Sequence, residues 1–280
     1  MAVRVNKSAS RALDILALLA ARKQFLTLKE IGSALNLPKS STFEIVYTMV
    51  ERKFLEETEN KRFNLGLKVF EVGNAYIAQL DVVRIAAPYL DGLAKRVDDT
   101  IFLAVENNSQ VVYIHKIRGG SNVVQTCELG SRNHMHCTGL GKALLAGYPD
   151  AKVEGILGET PLSRPAMNTI TSKAALFKDL NEIRRRGYAI DDRENWDDSY
   201  CIAAPIFSVG REPLAAISVA TFFHKVDEKL RSLLIREVTR TALAISRRMG
   251  FSGDRLYGDS SPGEAQPDGS WTADVPPAPG

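Results

Sequence analysis

Apolar residues recur at intervals of three and four along the first fifty residues, which is the spacing of one face of an α-helix. They predict three short helices, over residues 11–21, 28–35 and 38–53. Ser10 is expected to cap the first helix. Thr27 and Glu30 are expected to form a capping box at the start of the second, in which each side chain bonds the backbone of the other residue. Pro38 suits the first turn of the third helix, which has one apolar stripe and one largely polar face.

Two short β-rich segments with a polar turn follow the three helices. They cover residues 54–56 and 62–65, joined by residues 58–61. Three helices and a basic-tipped hairpin predict a winged helix-turn-helix domain over residues 1–66. Leu67, Phe70 and Ile77 then fall on one side of a predicted linker helix over residues 67–80.

The rest of the chain mixes strand and helix signals in an order that favours an α+β domain over residues 81–250. Strands are predicted at residues 100–106, 111–118, 201–207 and 214–221, and helices at 88–97, 138–146, 173–186 and 226–249. Strands that pair locally, with helices set between the pairs, are typical of an antiparallel sheet rather than a nucleotide-binding parallel sheet. Beyond residue 250 the chain becomes rich in Gly, Pro, Ser and Asp, which predicts a disordered tail over residues 251–280.

Composition narrows the class of protein further. A chain of 280 residues, 45% of them hydrophobic, is long enough for two domains. It has no apolar run long enough to cross a bilayer and no signal peptide, so a cytoplasmic protein is expected. Three cysteines, Cys127, Cys137 and Cys201, are too few for a disulfide framework. Residues 1–80 hold 12 Lys/Arg and 8 Asp/Glu, a charge of +4 against −1 for the remainder, which slightly favours a nucleic-acid partner for the N-terminal domain.

Several spaced motifs occur in one order along the chain. They cover residues 10–16, 37–40, 47–55, 62–66, 135–146, 186–192, 201–206 and 214–219. Together these motifs resemble the isocitrate lyase regulator (IclR) family of bacterial transcription factors over nearly the whole ordered chain. The resemblance implies a DNA-binding winged helix-turn-helix, a GAF-like effector-binding domain, a homodimer or homotetramer, and no catalysis; no cofactor is expected.

The polar face of the third predicted helix and the tip of the hairpin form the predicted interface with a double-stranded DNA operator. A helix in the major groove offers its N-terminal side chains to base edges, while Lys and Arg hold phosphates. The predicted contacts are Lys39, Ser40, Ser41, Phe43, Tyr47, Lys61 and Arg62. The alternative interpretation is the solvated face of an amphipathic helix. Glu44 stands where the family's recognition helix usually has arginine, so a different operator preference is expected.

A small-molecule effector site is implied by the same resemblance. Its expected residues are Met135, Thr138, Gly139, Asp191, Cys201, Ser218 and Ala220. The resemblance also implies a small organic or aromatic carboxylic acid as the effector, and backbone amides at the start of the helix after Thr138 are available to its anionic group. Ala220 stands where the family often has a second serine, which leaves a more apolar wall. The alternative interpretation is that Met135, Cys201 and Ser218 are ordinary core residues.

Other chemistries are less favoured by the sequence. His134, His136 and Cys137 carry metal-ligating groups, but alternate residues of a strand share a face, so only the two histidines would point the same way, and no metal site is expected. Two rival functions stay open: a cysteine hydrolase using Cys137, and a constitutive DNA-binding protein whose large domain is a dimerisation scaffold. The favoured hypothesis is a dimeric regulator in which an effector changes the separation of two winged domains.

Overall fold

The computed structural model describes residues 6–22, 24–79, 81–119, 127–210 and 212–257. The chain divides into two compact units, Met1–Asp81 and Val82–Gly280. Each unit combines helices with an antiparallel sheet, so the predicted α+β class is confirmed. No helix within the described ranges combines the length and the apolarity that crossing a bilayer requires.

The first unit is a winged helix-turn-helix, as predicted. Its elements are α1 (Lys7–Arg22), β1 (Leu26–Thr27), α2 (Leu28–Ala34), α3 (Lys39–Glu51), β2 (Leu55–Glu57), β3 (Arg62–Leu65) and α4 (Leu67–Gln79). The capping box forms at the start of α2, where Thr27 Oγ1 accepts from the Glu30 N–H at 3.3 Å and Glu30 Oε2 accepts from the Thr27 N–H at 2.7 Å. Ser10 does not cap α1. The side chain of Asn6 instead accepts from two backbone N–H groups of the first turn, so the helix begins four residues earlier than expected.

One hydrophobic core holds the first unit together. Its buried residues are Ile15, Leu19, Leu26, Ile31, Val46, Met49, Leu55 and Phe63. Strand β3 lies in the middle of the three-stranded sheet and pairs with β1 and β2. The chain then passes into α4 at Gly66, where a Cβ would overlap the carbonyl oxygen of Lys53. Only glycine fits this close approach between the wing and the end of the preceding helix.

The second unit surrounds a six-stranded sheet. Its elements are α5 (Asp81–Val97), β4 (Thr100–Asn107), β5 (Gln110–Ile117), β6 (Arg132–His134), α6 (Gly139–Ala146), α7 (Asp150–Leu157), α8 (Lys173–Arg186), β7 (Ala189–Asp192), β8 (Ser199–Phe207), β9 (Pro213–Phe222) and α9 (Glu228–Arg248). The strand order is β6-β5-β4-β9-β8-β7, and every neighbouring pair is antiparallel, as predicted. Asn108 and Ser109 both have positive φ, which is the two-residue turn that a β4–β5 hairpin favours.

Two helices lie on opposite faces of this sheet. Gly139 begins α6 beside β8, since a Cβ there would come 3.3 Å from the Ala203 Cβ and 3.6 Å from the Cys201 Cβ. The start of α9 lies near Tyr200, which points the other way because successive residues of a strand alternate. A Cβ at Gly141 would overlap the backbone of Met135, so a second glycine lets α6 approach the segment before it.

Residues 251–257 pack against the second unit, so the expectation of a disordered tail was wrong for this segment. The Tyr257 ring lies 5.8 Å from the Phe207 ring, and its hydroxyl donates to the Ala143 carbonyl at 2.8 Å. Aromatic burial stabilises the segment, although its average composition resembles a linker. The rest of the predicted tail, 258–280, lies outside the described residues.

Candidate DNA interface and effector cavity

The N-terminal end of α3 presents the most exposed part of the candidate DNA interface. Lys39, Ser40 and Phe43 are exposed there, with 52% of Phe43 open to solvent. Pro38 precedes the helix, and no side chain caps its first turn. Backbone N–H groups of that turn therefore remain available at the positive end of the helix dipole. This end of α3 can therefore contact DNA with side chains and with backbone N–H groups.

Tyr47 joins α3 to the wing. Its hydroxyl donates to Glu57 Oε1 at 2.9 Å, and its ring lies edge-on to Phe63 with centroids 5.7 Å apart. Lys61 Nζ lies 3.0 Å from the same Glu57 oxygen, and this contact holds the pKa of Glu57 below its ordinary value. The Lys61 side chain nevertheless stays 73% exposed. Glu57 thus binds the helix and the wing at once, which fixes their relative position.

Two other predicted contacts have partners within the protein. Ser41 is half-buried, and its Oγ accepts from Arg11 Nη1 at 3.4 Å. Arg62 Nη1 donates to the Phe25 carbonyl at 2.9 Å, so its guanidinium is held at the base of the wing. Among the predicted residues, Lys39, Ser40, Phe43, Lys61 and Arg62 are exposed, whereas Ser41 and Tyr47 are half-buried.

A small cavity lies between the sheet and the start of α6, and we call it the α6 cavity. Its volume is about 20 Å³, enough for about one water molecule. Five of the seven residues expected at an effector site line it: Thr138, Gly139, Asp191, Cys201 and Ser218. Strand pairing brings them together, since Asp191 lies opposite Cys201. Met135 and Ala220 lie in the hydrophobic core beside the cavity rather than in its wall.

Five further residues complete the wall and were not expected from the sequence. They are Phe102, Tyr113, Cys127, Leu140 and Asn195. Phe102 lies opposite Ser218 because β4 pairs with β9. Local sequence pattern cannot reveal this pairing between distant strands. Leu140 directly follows the predicted Thr138–Gly139 pair and is the one residue that the helix position could have indicated.

The start of α6 supplies hydrogen-bond donors to the cavity. Thr138 Oγ1 caps the helix by accepting from the Gly141 N–H at 3.0 Å, and it donates to the His134 carbonyl at 2.9 Å. The N–H groups of Gly139 and Leu140 have no bond to a described residue. Two backbone donors at the positive end of a helix therefore meet the cavity wall.

Asp191 places a buried carboxyl group in the same wall. Its Oδ1 accepts from the N–H groups of Glu194 at 2.9 Å and Asn195 at 3.3 Å. Burial raises the pKa of Asp191 to about 6 in spite of these bonds. A second negative charge entering the cavity would raise that pKa further.

The residues considered for catalysis or metal binding have other partners. Cys137 Sγ donates to Asn195 Oδ1 at 3.8 Å, and burial raises the pKa of its thiol to about 12, so it is not a thiolate nucleophile at neutral pH. His136 Nε2 lies 2.9 Å from the Ser163 carbonyl. Across the part of the chain that the structure describes, no three His, Cys, Asp or Glu side chains are placed to hold a metal ion.

Two family models match the chain. The IclR helix-turn-helix domain matches residues 8–59, and the bacterial transcriptional regulator IclR C-terminal domain matches residues 74–247, which is more than half of the chain. The chain belongs to the IclR family. IclR-family proteins of this architecture are DNA-binding transcriptional regulators, so the cysteine hydrolase alternative was wrong.

Individual relatives agree with the family models. The HTH-type transcriptional regulator BhcR of Paracoccus denitrificans is 34% identical over 215 residues, covering 76% of this chain and 77% of that protein. The crystal structure of Thermotoga maritima IclR is 27% identical, with a TM-score of 0.75, and covers 87% of this chain and 99% of that one. An IclR homolog from Microbacterium hydrocarbonoxydans, crystallised with 4-hydroxybenzoate, shares the fold. It has 24% identity and a TM-score of 0.76, covering 86% of this chain and 100% of its own.

Proposed function

We propose that this IclR-family regulator is controlled by a small organic or aromatic acid that binds in the α6 cavity. The observation that carries the proposal is the pair of N–H groups at Gly139 and Leu140, which bond no described residue and lie at a wall of mixed apolar and polar side chains. The 4-hydroxybenzoate complex of the Microbacterium homolog supports an aromatic acid as the ligand class.

The small volume of the α6 cavity links ligand binding to a change in the conformation of the protein. A cavity of about 20 Å³ is too small for an aromatic acid, so its wall must move to admit one. The acid then binds the open arrangement and not the closed one. An effector acts on DNA binding only through such a difference in affinity between two arrangements.

Asp191 makes the proposed binding sensitive to pH. A ligand carboxylate near this buried group raises its pKa further, so binding takes up a proton. Uptake of a proton strengthens binding as the proton concentration rises. The Kd for the acid should therefore fall as the pH is lowered from about 8 toward 6.

The operator interface in this proposal is the exposed side of α3 with the wing. The proposed contacts are Lys39, Ser40, Ser41, Phe43, Tyr47, Lys61 and Arg62. Residues with open side chains contact bases and phosphates. Ser41, Tyr47 and Arg62 additionally hold the surface in shape through their bonds to the protein.

A homodimer or homotetramer is part of the proposal. Large apolar side chains are exposed on α1 and α4, with Leu13 66%, Leu67 72% and Phe70 67% open to solvent. Apolar side chains grouped on two helices of a small unit are typical of a surface that another subunit covers. Sedimentation equilibrium of the wild type and of Phe70→Glu tests this, with a shift toward monomer expected.

The test of effector control is DNA binding in the presence of acids. Fluorescence anisotropy would measure the Kd for DNA from upstream of the protein's own gene, with and without a panel of aromatic and short aliphatic acids. At least one acid should change that Kd. Cys201→Val, which adds volume to the cavity wall, should bind DNA normally but lose the response.

The matched control is Thr221→Val, because Thr221 is fully buried on β9 but does not line the cavity. This variant should keep both DNA binding and the response. Tight DNA binding that no acid alters would reject effector control and favour the constitutive DNA-binding alternative.

A further inference from the structure

A second and larger cavity lies on the opposite face of the sheet, between β7, β8 and the start of α9. We call it the α9 cavity, and its volume is about 260 Å³. Asp192 and Tyr200 face it from directly opposite positions on β7 and β8, one residue along from the Asp191–Cys201 pair of the α6 cavity. The volume is just below the ~300 Å³ at which ordinary ligand sites begin, so it suits a small metabolite rather than a nucleotide.

Tyr200 brings a hydrogen-bond donor to the α9 cavity. Only 5% of this residue is exposed, yet its hydroxyl makes no hydrogen bond to any described residue. Burial raises the pKa of Tyr200, so the hydroxyl stays protonated and can donate. The hydroxyl oxygen is open to the cavity rather than sealed in the core, so it can donate to a ligand there. A ligand acceptor in the cavity would satisfy this group.

Two charged side chains of opposite sign line the same cavity as Tyr200. Arg231 and Glu228 lie three residues apart on α9, so their side chains leave the same side of the helix. Neither side chain bonds a described residue. The remaining carboxylates have partners, since Asp192 lies 2.9 Å from Arg193 Nε and Asp227 accepts from the Leu230 N–H at 2.7 Å. The cavity therefore offers a ligand one cationic side chain, Arg231, and one anionic side chain, Glu228, that are not engaged with other described residues.

The rest of the wall is apolar. Ile190, Val226 and Phe223 line the cavity, and Phe223 is held by the Arg193 guanidinium, which lies 3.6 Å above its ring centroid. A simple anion would meet three carboxylates here, and a simple cation would meet Arg231. A ligand that carries an ammonium group and a carboxylate on the same carbon can place each charge beside its opposite and avoid both repulsions.

We infer that the α9 cavity binds a free α-amino acid with an apolar side chain. Its carboxylate pairs with Arg231 and accepts a hydrogen bond from Tyr200. Its ammonium group pairs with Glu228, and its side chain packs against Ile190, Val226 and Phe223. This site is separate from the α6 cavity and does not require an acid to bind there.

Isothermal titration of the full-length protein with L-leucine and L-phenylalanine tests the inference. At least one of them should bind with measurable heat at millimolar concentration. Two analogues of phenylalanine separate the charges: 3-phenylpropanoate lacks the ammonium group, and phenethylamine lacks the carboxylate. Each should bind roughly tenfold or more weakly than phenylalanine, the loss expected for one charge-assisted hydrogen bond.

Variants place the site within the protein. Tyr200→Phe removes only the hydroxyl, and Arg231→Gln removes only the charge of an exposed side chain; each should weaken amino-acid binding by roughly tenfold or more. Arg248→Gln, an exposed change at the other end of the same helix, should leave it unchanged. Circular dichroism confirms folding, and Arg231→Gln decides the question should Tyr200→Phe be unstable.

Three outcomes would overturn the inference. The first is no binding of either amino acid at millimolar concentration. The second is equal binding of phenylalanine and 3-phenylpropanoate, which would leave Glu228 without a role. The third is binding that survives Arg231→Gln but is lost in Ser218→Ala, which would place the amino acid in the α6 cavity.

Discussion

Lys142 carries a charge that is almost completely removed from water. It extends from α6, and its side chain is only 1% exposed. Its Nζ lies 2.8 Å from Asp179 Oδ2 and 2.5 Å from Glu194 Oε1. Lys142→Met would keep most of the side-chain volume while removing the charge. Asp179 would still have a cationic partner, because Arg186 lies 3.6 Å away. Glu194 would be left buried with no cationic partner among the described residues.

The expected loss of unfolding free energy is about 3–5 kcal/mol, the usual cost of removing one partner of a buried ion pair. Burial already raises the pKa of Glu194 to about 7, and its Oε2 has no hydrogen-bond partner among the described residues. A carboxyl whose pKa is raised by folding stabilises the fold below its ordinary pKa, and this stability is lost as the pH rises through the folded value. Without Lys142 that pKa rises further. Both proteins hold this carboxyl protonated below about pH 7, so the deficit of the variant should grow as the pH rises above about 7, where the wild-type Glu194 loses its proton first.

Urea denaturation followed by circular dichroism at several pH values measures this deficit. Adding Glu194→Gln to Lys142→Met should restore part of the stability, because it removes the unpaired charge. Lys152→Met is the control, since Lys152 forms a comparable contact with Glu212 at 2.6 Å but is 39% exposed. Surface ion pairs are worth about 1 kcal/mol or less. Equal losses in the two lysine variants, or a loss that does not change with pH, would refute the reasoning.

Three further predictions concern single side chains. Thr221→Val should raise the unfolding free energy by roughly 1 kcal/mol in urea titrations, because the buried Thr221 hydroxyl has no partner among the described residues; a destabilised variant would contradict this. Lys61→Gln should weaken DNA binding and lower the slope of log K against log salt by about 0.9, whereas Lys178→Gln, an exposed change on α8 of the second unit, should change neither. Iodoacetamide at about pH 8 should modify half-buried Cys127 before Cys137, whose thiol reacts only after unfolding; mass spectrometry of timed samples would expose the opposite order.

Local chemistry made part of the fold predictable. The capping box at Thr27 and Glu30 involves atoms within four residues, so its sequence signature marks the helix start reliably. Gly187 ends α8 with a φ of 89°, a conformation that glycine adopts without strain. In each case the residues that determine the structure are the residues that display the signal.

Features that depend on distant contacts could not be predicted in this way. Strand β1 has two residues, too few to show a period, and forms because Leu26 and Thr27 pair with β3. Lys142 has the pattern of a surface lysine on a short helix, yet α8 and the segment before β8 cover it. The wall of the α6 cavity likewise includes Phe102 and Cys127 through strand pairing and chain path rather than through any local motif.

Strand β8 contributes successive residues to two separate cavities, Cys201 to one and Tyr200 to the other. Ligands bound in the α6 cavity and the α9 cavity would therefore contact the same strand. Thermodynamic reciprocity then requires that any help or hindrance one gives the other is returned by the same factor. If the two ligands are coupled in this way, a promoter under this regulator would respond to the ratio of two metabolites rather than to the concentration of either.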